Sequence, residues 1–101
     1  MMTRDDAVAA AAHFLTGRAY PECADSVVML PDLAEEFPYG WTVRFDFKEH
    51  IETGDPAKAP FTSVVVVPHE GEAVHFPPTA LPVGDYMNRR ATGGWPPKEW
   101  P

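Results

Sequence analysis

His69 and His75, with Glu70 and Glu72 between them, place two imidazoles and two carboxylates in one short stretch. Such a set could hold a metal ion or move protons. Zinc peptidases, however, space their histidine pair four apart on a helix so that both rings face one ion. Here the gap is six, and Gly71 with Pro68, Pro77 and Pro78 around it prescribes a hairpin turn. A zinc site also needs three or four converging ligands, so neither a metal nor any other cofactor is expected. Cys23 is the single cysteine. A reactive thiolate needs a histidine or positive charge held beside it, and nothing local supplies one, so Cys23 reads as a buried or loop thiol. Neither a Walker-type phosphate loop nor a Gly-x-Gly-x-x-Gly run occurs.

The carboxylates cluster at Asp5-Asp6, Glu35-Glu36 and Glu70/Glu72, with Glu49, Glu52 and Asp55 further along. Glycosidase-type chemistry would need two of them facing across a deep cleft, for which a 101-residue chain has little room. Individually they read as solvated faces. Together with Tyr39, the acids between residues 35 and 55 make a candidate partner surface: Glu35, Glu36, Tyr39, Glu49, Glu52 and Asp55. Charge would steer the encounter and the aromatic ring would anchor it. No catalytic residue is assigned, and the chain is expected not to be an enzyme. A small hydrolase built on Cys23 or on His69 and His75 is the outside alternative.

The whole composition points the same way. Fifteen acidic and eight basic residues give a net charge of −7. Nucleic-acid binding, which needs Lys and Arg against phosphates, is not expected, and a basic protein partner is favoured. No apolar stretch approaches the ~20 residues of a membrane span. The start of the chain lacks the basic and apolar regions of a secretory signal, and a lone cysteine suits a reducing compartment, so the expected location is the cytoplasm.

These side chains must be positioned by short elements, because twelve prolines punctuate the chain. Thr3 with Asp6 forms a capping pair ahead of an alanine-rich helix over residues 4–16, with Val8, Ala11, Ala12 and Leu15 as its apolar stripe and Gly17 as its stop. Residues 26–30 read as a first strand closed by Pro31, and residues 32–38 as an irregular acidic loop. From Gly40 the pattern alternates strictly. Trp41, Val43, Phe45 and Phe47 lie on a core face, and Thr42, Arg44, Asp46 and Lys48 on the other. Residues 50–60 read as a loop excursion. Residues 62–67, with four consecutive valines, read as a strand covered on both faces, and residues 73–76 as a fourth strand. A second helix over residues 83–91 turns Tyr86 and Met87 inward. The predicted fold is α+β: an N-terminal helix, a four-stranded antiparallel meander, a C-terminal helix and an irregular Trp/Pro-rich tail. A single domain spans residues 1–92, and the tail, residues 93–101 with Trp95 and Trp100, is expected to pack back onto it.

Gly40-Trp41-Thr42-Val43-Arg44-Phe45, Glu52-Thr53-Gly54-Asp55, Ala59-Pro60-Phe61 before the valine strand, Gly71-Glu72, and Asp85-Tyr86 resemble, in order and spacing, the YrhB-like family. That family overlaps the predicted immunity proteins of bacterial polymorphic toxin systems. The resemblance covers roughly residues 4–90. It implies a small non-catalytic α+β domain that neutralises a cognate toxin by binding it, or alternatively a small chaperone-like protein holding unfolded clients. It carries over no catalytic residue. A monomer or homodimer is compatible with it.

Overall fold

Thr3 opens the first helix by accepting a hydrogen bond from the Asp6 amide at 3.2 Å, while the Asp6 carboxylate accepts from the Thr3 amide at 3.1 Å. This reciprocal cap satisfies two donors that a helix start leaves free. The protein is seen in a computed structural model that describes residues 2–60, 62–69, 72–79 and 81–93. Helix α1 spans Arg4–Phe14 and runs on into a wider π turn, Leu15–Ala19, closed by the Tyr20 amide donating to the Leu15 carbonyl at 2.8 Å. The buried stripe is Ala7, Ala11 and Leu15, each with no exposed surface. Val8 and Ala12, expected on that stripe, are only half-buried. Alanine at two of the three contact positions lets the helix axis lie close against the sheet. Gly17 falls inside the π turn and does not end the helix.

Three antiparallel strands form the sheet in the order β1 (Val27–Glu36), β2 (Gly40–Phe47), β3 (Val64–Pro68). Strand β1 is longer than its sequence signal, continuing through Pro31 into the acidic segment. The pairing passes from Leu30↔Arg44 to Glu35↔Thr42, so residues 31–34 bulge out opposite Val43 alone. At a bulge on an edge strand the missing proline amide costs no ladder bond, which is why Pro31 does not stop the strand. The two faces of β2 are realised, except that Thr42, expected on the wetter face, is buried and Lys48 opens the next helix. Val43 and Phe45 are buried beneath α1, with Trp41 and Phe47 half-buried beside them. The valine strand is covered on both faces: Val65 and Val67 join the α1 side, and Val66 meets Tyr86 and Met87 of helix α3, Val83–Thr92.

The fourth strand expected over residues 73–76 is a single bridge, His75 to Val66, with both backbone hydrogen bonds formed at 2.8 and 3.1 Å. Pro77 and Pro78 have no amide hydrogen to extend the ladder. The chain turns to the α1 face instead, where Phe76 meets Phe14 edge-on at 5.3 Å between ring centres. The loop expected over residues 50–60 holds helix α2, Lys48–Thr53, ended by Gly54 in the left-handed region (φ 69°), and a short 3-10 turn, Pro56–Lys58. Among the described residues, no helix is long and apolar enough to cross a membrane. Phe61, Glu70, Gly71 and the Trp95/Trp100 tail fall outside the described residues.

Candidate functional site

The β1–β2 hairpin closes in two residues, Pro38 and Tyr39, between Phe37 and Gly40, which exchange backbone hydrogen bonds at 2.8 and 3.1 Å. Gly40 is required here by contact. A Cβ on it would lie 2.4 Å from the Val67 carbonyl oxygen, so only glycine lets β2 and β3 meet at this corner. Beyond the corner the His69 amide donates to the Tyr39 carbonyl at 3.0 Å, and the His69 Nε2 donates to the Phe37 carbonyl at 3.2 Å. A carbonyl only accepts, so Nε2 carries the proton. The Glu36 carboxylate lies 3.4 Å from the same nitrogen, half exposed.

Helix α3 approaches this corner from the second face of the sheet. Arg90, in its last turn, donates to the Tyr39 hydroxyl at 2.8 Å, pairs with Glu72, and stacks 4.9 Å from the centre of the Tyr39 ring. Burial, and then the hydrogen bond with Glu72, push the Tyr39 hydroxyl up to about 12. Glu72 is held below the usual carboxylate range by its bonds from Arg90 and then Tyr39. Nearby, His75 donates from Nδ1 to the Ala73 carbonyl at 2.8 Å, which leaves Nε2 to accept from the Tyr86 hydroxyl at 2.7 Å. The result is an open cleft of about 820 Å³ walled by Glu36, Pro38, Tyr39, His69, Glu72 and Arg90. Glu36 stands exposed on its strand side, and its neighbour Glu35, which does not line the cleft, is exposed as well.

The other three candidates sit at the far end of β2. Its eight residues put roughly 26 Å of strand between the two groups. Glu49 receives the Ser26 hydroxyl on Oε1 at 2.5 Å, which ties α2 to the start of β1 and lowers the Glu49 pKa. Its Oε2 is buried with no hydrogen-bond partner among the described residues. Asp55 caps the 3-10 turn through the Ala57 amide at 2.9 Å, and Glu52 is exposed. Two of these acids therefore have structural duties. Beside them Cys23 lines a shallow apolar pocket with Ser26, Phe47, Glu49 and Lys58.

The structure thus gathers Glu35, Glu36 and Tyr39 at one end and Glu49, Glu52 and Asp55 at the other. It adds Arg90 and Glu72, which sequence reasoning did not place at the surface site. Arg90 lies 51 positions from Tyr39, and no local pattern links them. The only sequence signal was the adjacent Arg89-Arg90 pair in the last turn of a helix predicted to lie against the sheet. His69 and His75 serve different partners. Among the described residues no three His, Cys, Asp or Glu side chains are placed to share a metal ion.

Comparison with known proteins agrees with the resemblance read from the motifs. The family model for immunity protein 35 matches residues 5–91. The chain is 32% identical over 105 residues to the uncharacterized protein YrhB of Escherichia coli (strain K12), covering 95% of this chain and 100% of that relative. No solved structure matches it.

Proposed function

Because the chain belongs to the immunity protein 35 family, we propose that it neutralises a cognate bacterial toxin in the cytoplasm by binding it directly, without catalysis. The observation that carries this reading is the hairpin-end surface. Tyr39 is held rigidly by Arg90, and the charge of Arg90 is absorbed by Glu72, so the exposed Glu35 and Glu36 dominate the rim. A fixed aromatic ring beside unneutralised acids is what a basic protein surface binds: the ring loses little entropy on contact, and the acids steer the approach. With a net charge of −7, the whole chain favours the same encounter.

Holding unfolded clients would call for broad apolar surface. Among the described residues, Leu33 on β1 and Ile51 on α2 are the large hydrophobic side chains that stand exposed. The test is co-expression with the toxic domain encoded beside this protein's gene, followed by titration of the two purified partners. Growth rescue with a one-to-one complex is expected. Rescue without a complex, or a toxin chemically altered by this protein, would overturn direct inhibition.

A further inference from the structure

Strand β1 lies at one edge of the sheet, paired with β2 on one side only. Among the described residues, its main-chain groups bond outside β2 only where the Val27 amide donates to the Ala24 carbonyl of the preceding 3-10 turn. Strand β3, by contrast, has its outer side engaged by the His75 bridge. A free edge presents a row of unpaired amides and carbonyls, which proteins ordinarily cover or blunt because another strand can add to it. Here it is blunted only in part. The bulge at residues 31–34 interrupts the edge, and residues 27–30 before it keep regular pairing geometry.

The surroundings say what such an added strand must look like. Downstream of residues 27–30 stand Asp32, Glu35 and Glu36, all exposed. Upstream, α2 is tethered to the strand start by the Ser26–Glu49 bond and carries the exposed Glu52. The bulge also lifts Leu33 into solvent, 55% exposed, beside that edge. The two acidic groups that β2 separates therefore stand at the two ends of β1. A second copy of this chain, itself carrying −7, would bring more negative charge to an acidic edge.

We propose that the outer edge of β1 receives an extended basic segment of the toxin, which adds to the sheet as a fourth strand. This rests on the toxin-binding reading and names how that partner is held. Val28 and Leu30 turn their main-chain groups to β2 and the Val27 amide is taken by Ala24, so main-chain bonds to the Met29 amide and carbonyl and to the Val27 carbonyl supply the affinity. Lysine or arginine side chains at the ends of the segment meet Asp32 and Glu35 on one side and Glu52 on the other, and Leu33 covers an apolar side chain between them.

The probe is a capped hexapeptide of alternating lysine and valine, titrated into the full-length, isotope-labelled protein and followed by amide NMR. Shifts confined to residues 27–36 and to α2 around Glu52 are expected. The same peptide N-methylated at alternate positions should bind at least tenfold more weakly, and the glutamate–valine analogue should not bind. The double variant Asp32→Lys, Glu35→Lys changes only exposed side chains and should also weaken binding at least tenfold. Equal binding of the N-methylated peptide, shifts centred on the hairpin cleft, or no shifts would each overturn the proposal. So would amide shifts of β1 that depend on protein concentration without peptide, since the edge would then take a second copy. A toxin complex in which the β1 amides exchange at their free rate sinks the edge and spares the inhibitor reading. A bound peptide with no toxin complex does the reverse.

Discussion

Arg90 holds Tyr39 twice, donating to its hydroxyl at 2.8 Å while its guanidinium lies 4.9 Å from the ring centre. One residue from the last turn of α3 thereby fixes the tip of the β1–β2 hairpin. Among the described residues no ion pair joins the C-terminal helix to the hairpin, so the proposed binding surface depends on this pair for its rigidity. Arginine suits the role because its planar fork can stack and donate together, which a lysine cannot.

Replacing Tyr39 with phenylalanine keeps the stacked ring and removes the hydroxyl that Arg90 bonds. The expected cost is about 1.5–3 kcal/mol, because the hydroxyl's partners Arg90 and Glu72 are both charged. Urea denaturation checks it, and Arg90→Lys should cost at least as much because both contacts go.

Tyr39 also predicts an alkaline limit. Its hydroxyl is raised to about 12 in the folded state from its ordinary 10.0. The folded state favours the protonated phenol, so this contribution is fully present below pH 10 and is lost as the pH rises through 12. Absorbance near the phenolate band should show one tyrosine titrating late, and Arg90→Ala should alter that step.

At the acid end the sign reverses. The Ser26 hydroxyl is the main cause holding the Glu49 pKa low. A depressed carboxylate contributes stability above its unfolded pKa and loses it as the pH falls through the folded value. Ser26→Ala should therefore raise the Glu49 pKa, read by carbon NMR of the side-chain carboxyl. The variant should also lose part of the stability difference between neutral and acid pH.

How much of this was legible from the chain depends on whether the cause was local. The Thr3–Asp6 cap, the two faces of β2, the covered valine strand and the inward Tyr86 and Met87 all follow from spacings within one element, and all are present. Strand β1 was underestimated because Pro31 is a stop signal only where an amide is needed, and at a bulge it is not. Helix α2 was hidden because its six residues are too few for an apolar period, although Gly54 at its end was visible. The fourth strand was overestimated: the turn before residues 73–76 suggested a hairpin, but pairing is decided by the prolines after them and by Phe76 being drawn to Phe14. At the site, Glu35, Glu36 and Tyr39 are adjacent in sequence and stay together. Their distance from Glu49 is set by the length of β2, and the clamp by Arg90 is a tertiary event with no sequence period.

Core substitutions should separate the two faces of the sheet. Met87 is fully buried against Val66 and Tyr86, on the face opposite α1. Met87→Ala leaves a cavity there and should cost roughly 2–5 kcal/mol. Leu33→Ser, by contrast, alters a side chain that is 55% exposed and should stay within about 0.5 kcal/mol of the parent. Its effect belongs in toxin affinity, and thermal denaturation beside a binding titration distinguishes the two.

Gly40 gives the sharpest steric prediction. The Cβ of an alanine would sit 2.4 Å from the Val67 carbonyl oxygen and 2.7 Å from the Pro68 Cα, both backbone atoms that cannot swing aside as a side chain would. Relief must come from parting β2 and β3 at the Gly40↔Pro68 pair, which also strains the neighbouring bond from the His69 amide to the Tyr39 carbonyl. Overpacking costs about 1–3 kcal/mol where side chains can adjust, and Gly40→Ala should lie at or above the upper end. Gly17→Ala is the control: nothing lies within 4 Å of its added Cβ, so the same change of residue there should leave stability almost unaltered. If both variants unfold at the same urea concentration, close strand approach is not what fixes the hairpin corner. If only Gly40→Ala falls, amide exchange should show its loss beginning at Tyr39 and His69, and toxin affinity should fall with it because the rim around Tyr39 is no longer held.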